Sequence, residues 1–314
     1  MKHISILVTH KARLSSIELP RHAFSEVNNI LVDIGKPPLF KVQMLGLHTQ
    51  IKLNNGLYTV TPDALLTDIE KTDLVIVPAM DGNLKEAVNL NKDYIPWIVK
   101  QYKRGAEIAS LCVGAFLLAA TGLLKGKQCS THWRAENDFK TLFPEVNLVV
   151  DKIITDDHGI YSSGGAFSSS NLILYLVEKY AGKDVAIQCS KMFQIDIDRG
   201  SQSPFIIFTG QKEHHDYVVK NAQEFIENNF KDKITVDQLS EIFGVGRRTF
   251  ERRFKAATFN SIVEYMQRVK VEAAKKQFET GRKTINEVMY DVGYTDNKAF
   301  REVFKKIVGM SPVD

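Results

Sequence analysis

Two rhythms of apolar and polar positions run along this chain, and one gives way to the other near residue 193. Before that point, short apolar runs stand between longer amphipathic stretches. His3–Thr9, Phe40–Leu45, Asp73–Val77 and Ala106–Leu111 predict strands buried on both faces. Pro20–Ile34 predicts a helix with proline at its first position and Gly35 closing it. Val113–Thr121 predicts an apolar helix directly after a strand, and Phe167–Tyr180 a helix closed by Gly182. The runs Ile153–Thr155 and Ile160–Ser162, on either side of Asp156-Asp157-His158-Gly159, predict a hairpin. Strands alternating with helices imply a mainly parallel sheet covered on both faces. Residues 194–216 mix Gly, Ser, Pro and charge around the run Phe205–Phe208 and predict a linker. From Tyr217 onward every segment carries helical periodicity, with no proline before Pro312. The expected organisation is an α/β domain over 1–193, a linker over 194–216 and an all-α domain over 217–314.

The all-α part repeats itself. Thr235-Val236-x-x-Leu239-x-x-x-x-Gly244-Val245 recurs as Thr284-Ile285-x-x-Val288-x-x-x-x-Gly293-Tyr294, and Phe250-x-x-x-Phe254-Lys255 as Phe300-x-x-x-Phe304-Lys305. Thr235 with Gln238 and Thr284 with Glu287 form capping boxes that start a helix. Gly244 and Gly293 stand where that helix stops and the chain bends, at positions suited to positive φ. A second helix follows, with its phenylalanines at i, i+4 on one face. Its other face is polar: Arg247, Arg248, Glu251 and Arg252 in the first copy, Asn297, Lys298 and Arg301 in the second. Each copy is therefore a helix-turn-helix. Arg can bond guanine O6/N7 bidentately and Asn adenine N6/N7, so these outer faces suit the major groove of double-stranded DNA. Between the copies, 260–278 carries Ile262, Met266, Val269 and Ala273 on one predicted face. Nineteen helical residues span roughly 28 Å, a strut that can hold two reading helices about one DNA turn apart.

Composition narrows the class further. The net charge of +4 is mild, but Gly244–Lys276 holds nine basic and three acidic residues, a local surface that suits a polyanion. The N-terminal apolar run, Ile4–Val8, is too short for a signal peptide. The most apolar segment, Val113–Leu124, is about half of membrane-spanning length. A cytoplasmic protein without membrane contact is expected. Cys112, Cys129 and Cys189 are too few and too scattered for a disulfide framework or a CxxC metal site. His214-His215-Asp216 reads as solvated linker, so neither metal nor cofactor is expected.

Residues 217–314 resemble the DNA-binding domain of the AraC/XylS family of transcription regulators, most specifically in Val292-Gly293-Tyr294 through Phe300-Arg301-x-x-Phe304-Lys305-Lys306 to Gly309-Met310-Ser311-Pro312. The resemblance implies base or groove contacts from Arg248, Glu251, Arg252, Asn297, Lys298 and Arg301. Gly246 stands where the family often has a capping Ser. The chain ends at Asp314, where the family usually continues into a final helix.

In the first domain, Ala109-Ser110-Leu111-Cys112-Val113-Gly114-Ala115 puts Cys112 on a strand-to-helix turn, at a helix N-terminus that favours a thiolate. The Val113 N–H is a candidate oxyanion donor, and Ser130-Thr131-His132-Trp133 supplies a histidine. These residues, with Ser15-Ser16-Ile17, Gly122-Leu123-Leu124 and Ser162-Ser163-Gly164-Gly165, resemble the PfpI-like branch of the class I glutamine amidotransferase-like superfamily, a flavodoxin-like fold. The combination with two helix-turn-helix units resembles the GlxA type of AraC-family regulator. Enzymes of the superfamily carry a carboxylate where this chain has Ser16, and Pro-Gly-Gly where it reads Pro78-Ala79-Met80-Asp81-Gly82. General acid–base catalysis needs a group at that place. The site therefore reads as a pocket for a small-molecule effector, formed by Ser16, Cys112, Val113 and His132. The alternative is a cysteine-dependent hydrolase, amidase or glyoxalase-like enzyme with Cys112 as nucleophile. Domains of this type tend to pair, so a homodimer is expected.

Overall fold

Seven strands form the main sheet, in the order β10-β11-β7-β6-β1-β2-β5, with every described pairing parallel except β10 against β11. They are β1 (Lys2–Leu7), β2 (Phe40–Gly46), β5 (Ala64–Leu65), β6 (Leu74–Val77), β7 (Glu107–Ser110), β10 (Ile154–Asp157) and β11 (Ile160–Ser163). Two small pairs complete the set: β3 (Ile51–Leu53) with β4 (Tyr58–Val60), and β8 (Gln128–Cys129) with β9 (Asn147–Leu148). The computed structural model describes residues 1–196, 200–279, 281 and 283–312. Asp314, where the resemblance implies a further helix, lies outside the described residues.

Helices cover both faces of the sheet. Ile4, Ile6 and Ile76 pack against α1 (Leu14–Asp33), α6 (Ser168–Ala181) and α7 (Lys183–Phe193). Leu7, Val75 and Val77 pack towards α2 (Leu84–Leu90), α3 (Ile95–Lys103) and α4 (Ala115–Ala120), with α5 (Glu136–Leu142) contributing Phe139. Neighbouring strand residues thus serve opposite cores, as the period of two requires. This is the expected flavodoxin-like arrangement.

One helix start differs from expectation. Pro20 lies inside α1, not at its first position. The first turn is held from outside: Arg13 N–H donates to the Ala79 carbonyl at 2.9 Å and the Ser16 hydroxyl donates to the Arg13 carbonyl at 2.7 Å. With those anchors the helix begins at Leu14 and absorbs the one bond Pro20 cannot make.

The chain folds as two units, Met1–Gln202 and Ser203–Asp314. The boundary falls inside the predicted linker, and the described linker residues on either side of it are tied down. Ser201 and Gln202 bond Asp151. On the other side, Lys275 Nζ reaches the Ile206 carbonyl and Glu272 accepts from Phe208 N–H at 3.0 Å. Nor is the His214-His215-Asp216 stretch merely solvated. Asp216 caps the next helix and holds Arg253 at 2.7 and 2.8 Å, while His214 Nε2 meets Gln223 Oε1 at 2.9 Å.

The second unit contains α8 (Tyr217–Asn228), α9 (Val236–Ile242), α10 (Arg247–Thr258), α11 (Ile262–Glu279), α12 (Ile285–Asp291) and α13 (Asn297–Val308). It has two small cores. Val219, Leu239, Phe250, Phe254 and Tyr265 fill one; Val271, Ala274, Val288, Phe300 and Phe304 fill the other. The central helix α11 serves both, Ile262 and Tyr265 inward at one end and Val271 and Ala274 at the other. Of the predicted stripe, Met266 and Val269 border the first core and Ala273 the second, so the apolar surface is split between two clusters.

Candidate functional site

Both helix-turn-helix units form as the repeat predicts. Thr235 and Gln238 cap α9 reciprocally, and Thr284 and Glu287 cap α12. Gly244 and Gly293 turn the chain at φ +63° and +78°, a region open to glycine at little steric cost. The second helices, α10 and α13, bury Phe250/Phe254 and Phe300/Phe304. The N-caps of these two helices differ. Asp296 accepts from Ala299 N–H at 2.7 Å, whereas Gly246 offers α10 no side-chain cap.

The outer faces are not equivalent either. Arg247 is engaged by Asp237 at 3.0 Å and Glu251 at 3.2 Å, bridging α9 to α10. Arg248 and Arg252 are exposed and, with Glu251, Lys255 and Ser261, line a groove of about 340 Å3. In the second unit, Asn297 Nδ2 donates to Asn286 Oδ1 at 2.8 Å while its Oδ1 accepts from Arg301 Nε at 2.6 Å. One of its two amide protons and one of its two oxygen lone pairs are thus used within the protein, which fixes the orientation of the amide. Lys298 and Arg301 are exposed beside it.

In the first unit, Cys112 follows β7 and opens a short turn leading into α4. Its φ is +53°, a strained value for a residue with a side chain. Gly114 explains how the turn fits: a Cβ there would fall 2.6 Å from the carbonyl oxygens of both Val77 and Pro78. Ser16 braces the same segment from the other side, its hydroxyl accepting from Ala79 N–H at 3.1 Å. Cys112 N–H donates to Ser163 Oγ at 3.2 Å, and the Cys112 carbonyl accepts from Thr131 Oγ1 at 3.1 Å.

The thiol is buried, and burial pushes its pKa up to about 11. The Val113 N–H beside the thiol and the Arg13 guanidinium pull downward without prevailing, and the Asp81 carboxylate adds to the rise. The helix-terminus effect expected from sequence is thus outweighed by desolvation. His132 is half-buried, and its pKa is lowered by that burial and by Arg134 and Arg13. Its Nδ1 accepts from Arg134 N–H at 3.1 Å, which leaves the proton of the neutral ring on Nε2. No hydrogen bond between His132 and Cys112 is found among the described residues; what they share is the field of Arg13, itself paired with Asp81 at 2.6 Å.

The structure therefore joins Cys112 with Val113 at the turn, sets Ser16 on the Pro78–Ala79 segment behind it, and holds His132 nearby as a neutral acceptor. Sequence reasoning missed the Arg13–Asp81 pair, Thr131 and Ser163 as partners of the turn. Ser163 stood inside the quoted Ser-Ser-Gly-Gly motif. The spacing of Arg13 and Asp81 carries no local signal, because the sheet alone brings them together.

A flavodoxin-like domain with a cysteine turn, followed by paired helix-turn-helix units, defines a class of two-part regulators. Residues 2–179 match the DJ-1/PfpI family and residues 239–314 match a helix-turn-helix domain. The chain belongs to the DJ-1/PfpI family and carries an AraC-type helix-turn-helix domain. It is 24% identical over 271 residues to the HTH-type transcriptional regulator GbdR of Pseudomonas aeruginosa, covering 84% of this chain and 71% of that one. It is 21% identical over 209 residues to the HTH-type transcriptional regulator GlxA of Rhizobium meliloti, covering 66% and 64%. The crystal structure of a THiJ/PfpI family protein from Pseudomonas syringae superposes with TM-score 0.52 at 17% identity, over 77% of this chain and 90% of the other. That likeness concerns the fold. No helix among the described residues is long and apolar enough to cross a membrane.

Proposed function

We propose that this chain is a sequence-specific DNA-binding transcription regulator whose DJ-1/PfpI domain senses a small molecule at the Cys112 turn. The observation that carries DNA reading is the pair of capped helix-turn-helix units built on one shared helix, each presenting a polar second helix outward. The eighteen residues of α11 extend over about 27 Å, a spacing suited to reading helices entering successive major grooves. Arg248, Glu251, Arg252, Lys298 and Arg301 are the candidate contacts, with Arg247 and Asn297 presented through their own side-chain partners. Selection of bound duplexes from random sequence tests this reading; recovery of no preferred sequence overturns it.

Sensing is favoured over catalysis by the chemistry of the turn. A protonated thiol is a poor nucleophile, and the Cys112 amide at the turn is engaged by Ser163 Oγ. An oxyanion hole needs such donors unspent. This reading requires neither metal nor cofactor. It places the protein with its DNA in the cytoplasm and takes it to act as a homodimer, which sedimentation at varied concentration tests.

A further inference from the structure

Gln202, the last residue of the first unit, is buried although it belongs to an irregular polar stretch. Its Nε2 donates to the Val150 carbonyl at 2.6 Å and to the Thr131 carbonyl at 3.0 Å. Those two bonds fix which end of the amide points inward, since an amide oxygen cannot face two carbonyls. Its Oε1 is buried with no partner among the described residues. Thr131 is the residue whose hydroxyl holds the Cys112 carbonyl. Gly164 leaves the room: a Cβ there would lie 2.4 Å from Gln202 Nε2 and 2.6 Å from its Cδ.

The next residue opens the second unit. Ser203–Phe205 forms a short turn that packs on α13, and Ser203 and Ile206 share a cavity of only about 10 Å3 with Ile307 and Val308 of that helix. One side chain thus sits a single residue away from a turn seated on the second reading helix, and one hydrogen bond away from the residue that supports the cysteine turn.

We propose that Gln202 is a latch that transmits the state of the Cys112 turn to α13. The proposal rests on the sensing reading given above. A seat with two short bonds, two long ones at 3.4 Å to Ser130 Oγ and the Lys152 carbonyl, and one acceptor unpaired among the described residues is held without being locked, because an unpaired buried oxygen offsets much of what the bonds contribute. Displacement of Thr131 by a ligand at the turn removes one of the two short bonds and releases Gln202, and with it the Ser203–Phe205 turn. A device of this kind needs two nearly balanced states that a ligand distinguishes.

The test uses the full chain and a duplex selected from random sequence. Gln202→Ala removes the amide, Gly164→Ala fills its seat and Cys112→Met enlarges the side chain at the turn. Backbone hydrogen exchange over 201–206 and duplex Kd are measured for each. Gln202→Ala and Gly164→Ala are expected to speed exchange over 201–206 and to move Kd in one common direction by about fivefold or more. Cys112→Met is expected to move Kd alone, and to add nothing in the Gln202→Ala background. If Cys112→Met moves Kd while Gln202→Ala stays within about twofold of the parent, the latch is wrong and sensing stands. If Gln202→Ala moves Kd while Cys112→Met does not, the link to the turn is broken and the proposal fails. If neither moves it, sensing itself falls, and the latch with it. Should Gly164→Ala or Cys112→Met not fold, as judged by thermal melting, Gln202→Ala and the milder Cys112→Ser replace them in the same comparison.

Discussion

Gly293 meets Lys231 backbone to backbone: a Cβ on this glycine would fall 2.0 Å from the Lys231 carbonyl oxygen. Its counterpart in the first unit, Gly244, has open space around the same position. Both need positive φ, but only the second is also packed. Gly244→Ala is expected to cost about 1 kcal/mol, from the left-handed backbone alone. Gly293→Ala is expected to cost about 3 kcal/mol, since the backbones must also separate. Denaturant unfolding of the two variants measures the difference, and equal costs would show that the Lys231 contact adds nothing to the backbone term.

The unequal N-caps give a second comparison. Asp296→Ala removes the bond to Ala299 N–H and is expected to cost about 1 kcal/mol. Gly246→Ser supplies a hydroxyl where nothing crowds a new side chain, and is expected to stabilise α10 by about 0.3 kcal/mol. Melting temperatures check both signs.

On DNA, Arg252→Ala is expected to lose about 1–3 kcal/mol of affinity and to relax preference at one base step. A uniform loss over all sequences would mark a phosphate contact instead. Asn286→Ala frees the Asn297 amide from one partner. Comparing base preference in Asn286→Ala and Asn297→Ala reads out whether Asn297 contacts a base.

The thiol of Cys112 is protonated at neutral pH. Its alkylation by iodoacetamide in the folded chain should therefore rise with pH towards a midpoint near 11, against about 8.5 for a free cysteine. Asp81→Asn removes an influence that raises the thiol pKa and should move the midpoint down; Arg13→Ala should move it up. A midpoint near or below about 8.5 would restore the enzyme reading.

The same burial links stability to pH. Cys112 and Cys129 have pKa values pushed up to about 11 and about 12 in the fold. The folded state holds these protons more tightly, so the stability they contribute is complete below about pH 8.5 and is lost as pH rises through the folded values. His132 acts at the other end. Its lowered pKa contributes stability above about pH 6.5, lost as pH falls through the folded value. Unfolding free energies of Cys129→Ser and the parent chain, compared at pH 7 and pH 10, test the alkaline arm. The pH dependence should be shallower in the variant.

What the sequence made legible was local. Threonine caps, turn glycines and phenylalanines four apart specify α9 to α13 because each signal acts within a few residues. Strand–helix alternation likewise revealed the parallel sheet. The start of α1 was hidden because its first turn depends on Ala79, far along the chain. The β3–β4 hairpin was passed over although Asn54-Asn55-Gly56 between its strands is a strong turn signal, and α2, at seven residues, is too short to display a helical period. The activation of Cys112 was misjudged for a similar reason. Position at a helix start is visible in sequence, whereas the desolvation that overrides it comes from the whole domain.

The helix shared by the two small cores sets a rule for how this domain can vary. Inserting one residue into α11 would turn everything beyond it by about 100° and advance it by about 1.5 Å. The second half would then meet its neighbours with the wrong face, and the core around Val271 and Ala274 would lose its fit. Length is thus a fixed dimension of α11, as the spacing between teeth is for a gear. Variants with insertions or deletions should survive in surface turns and be purged from this helix.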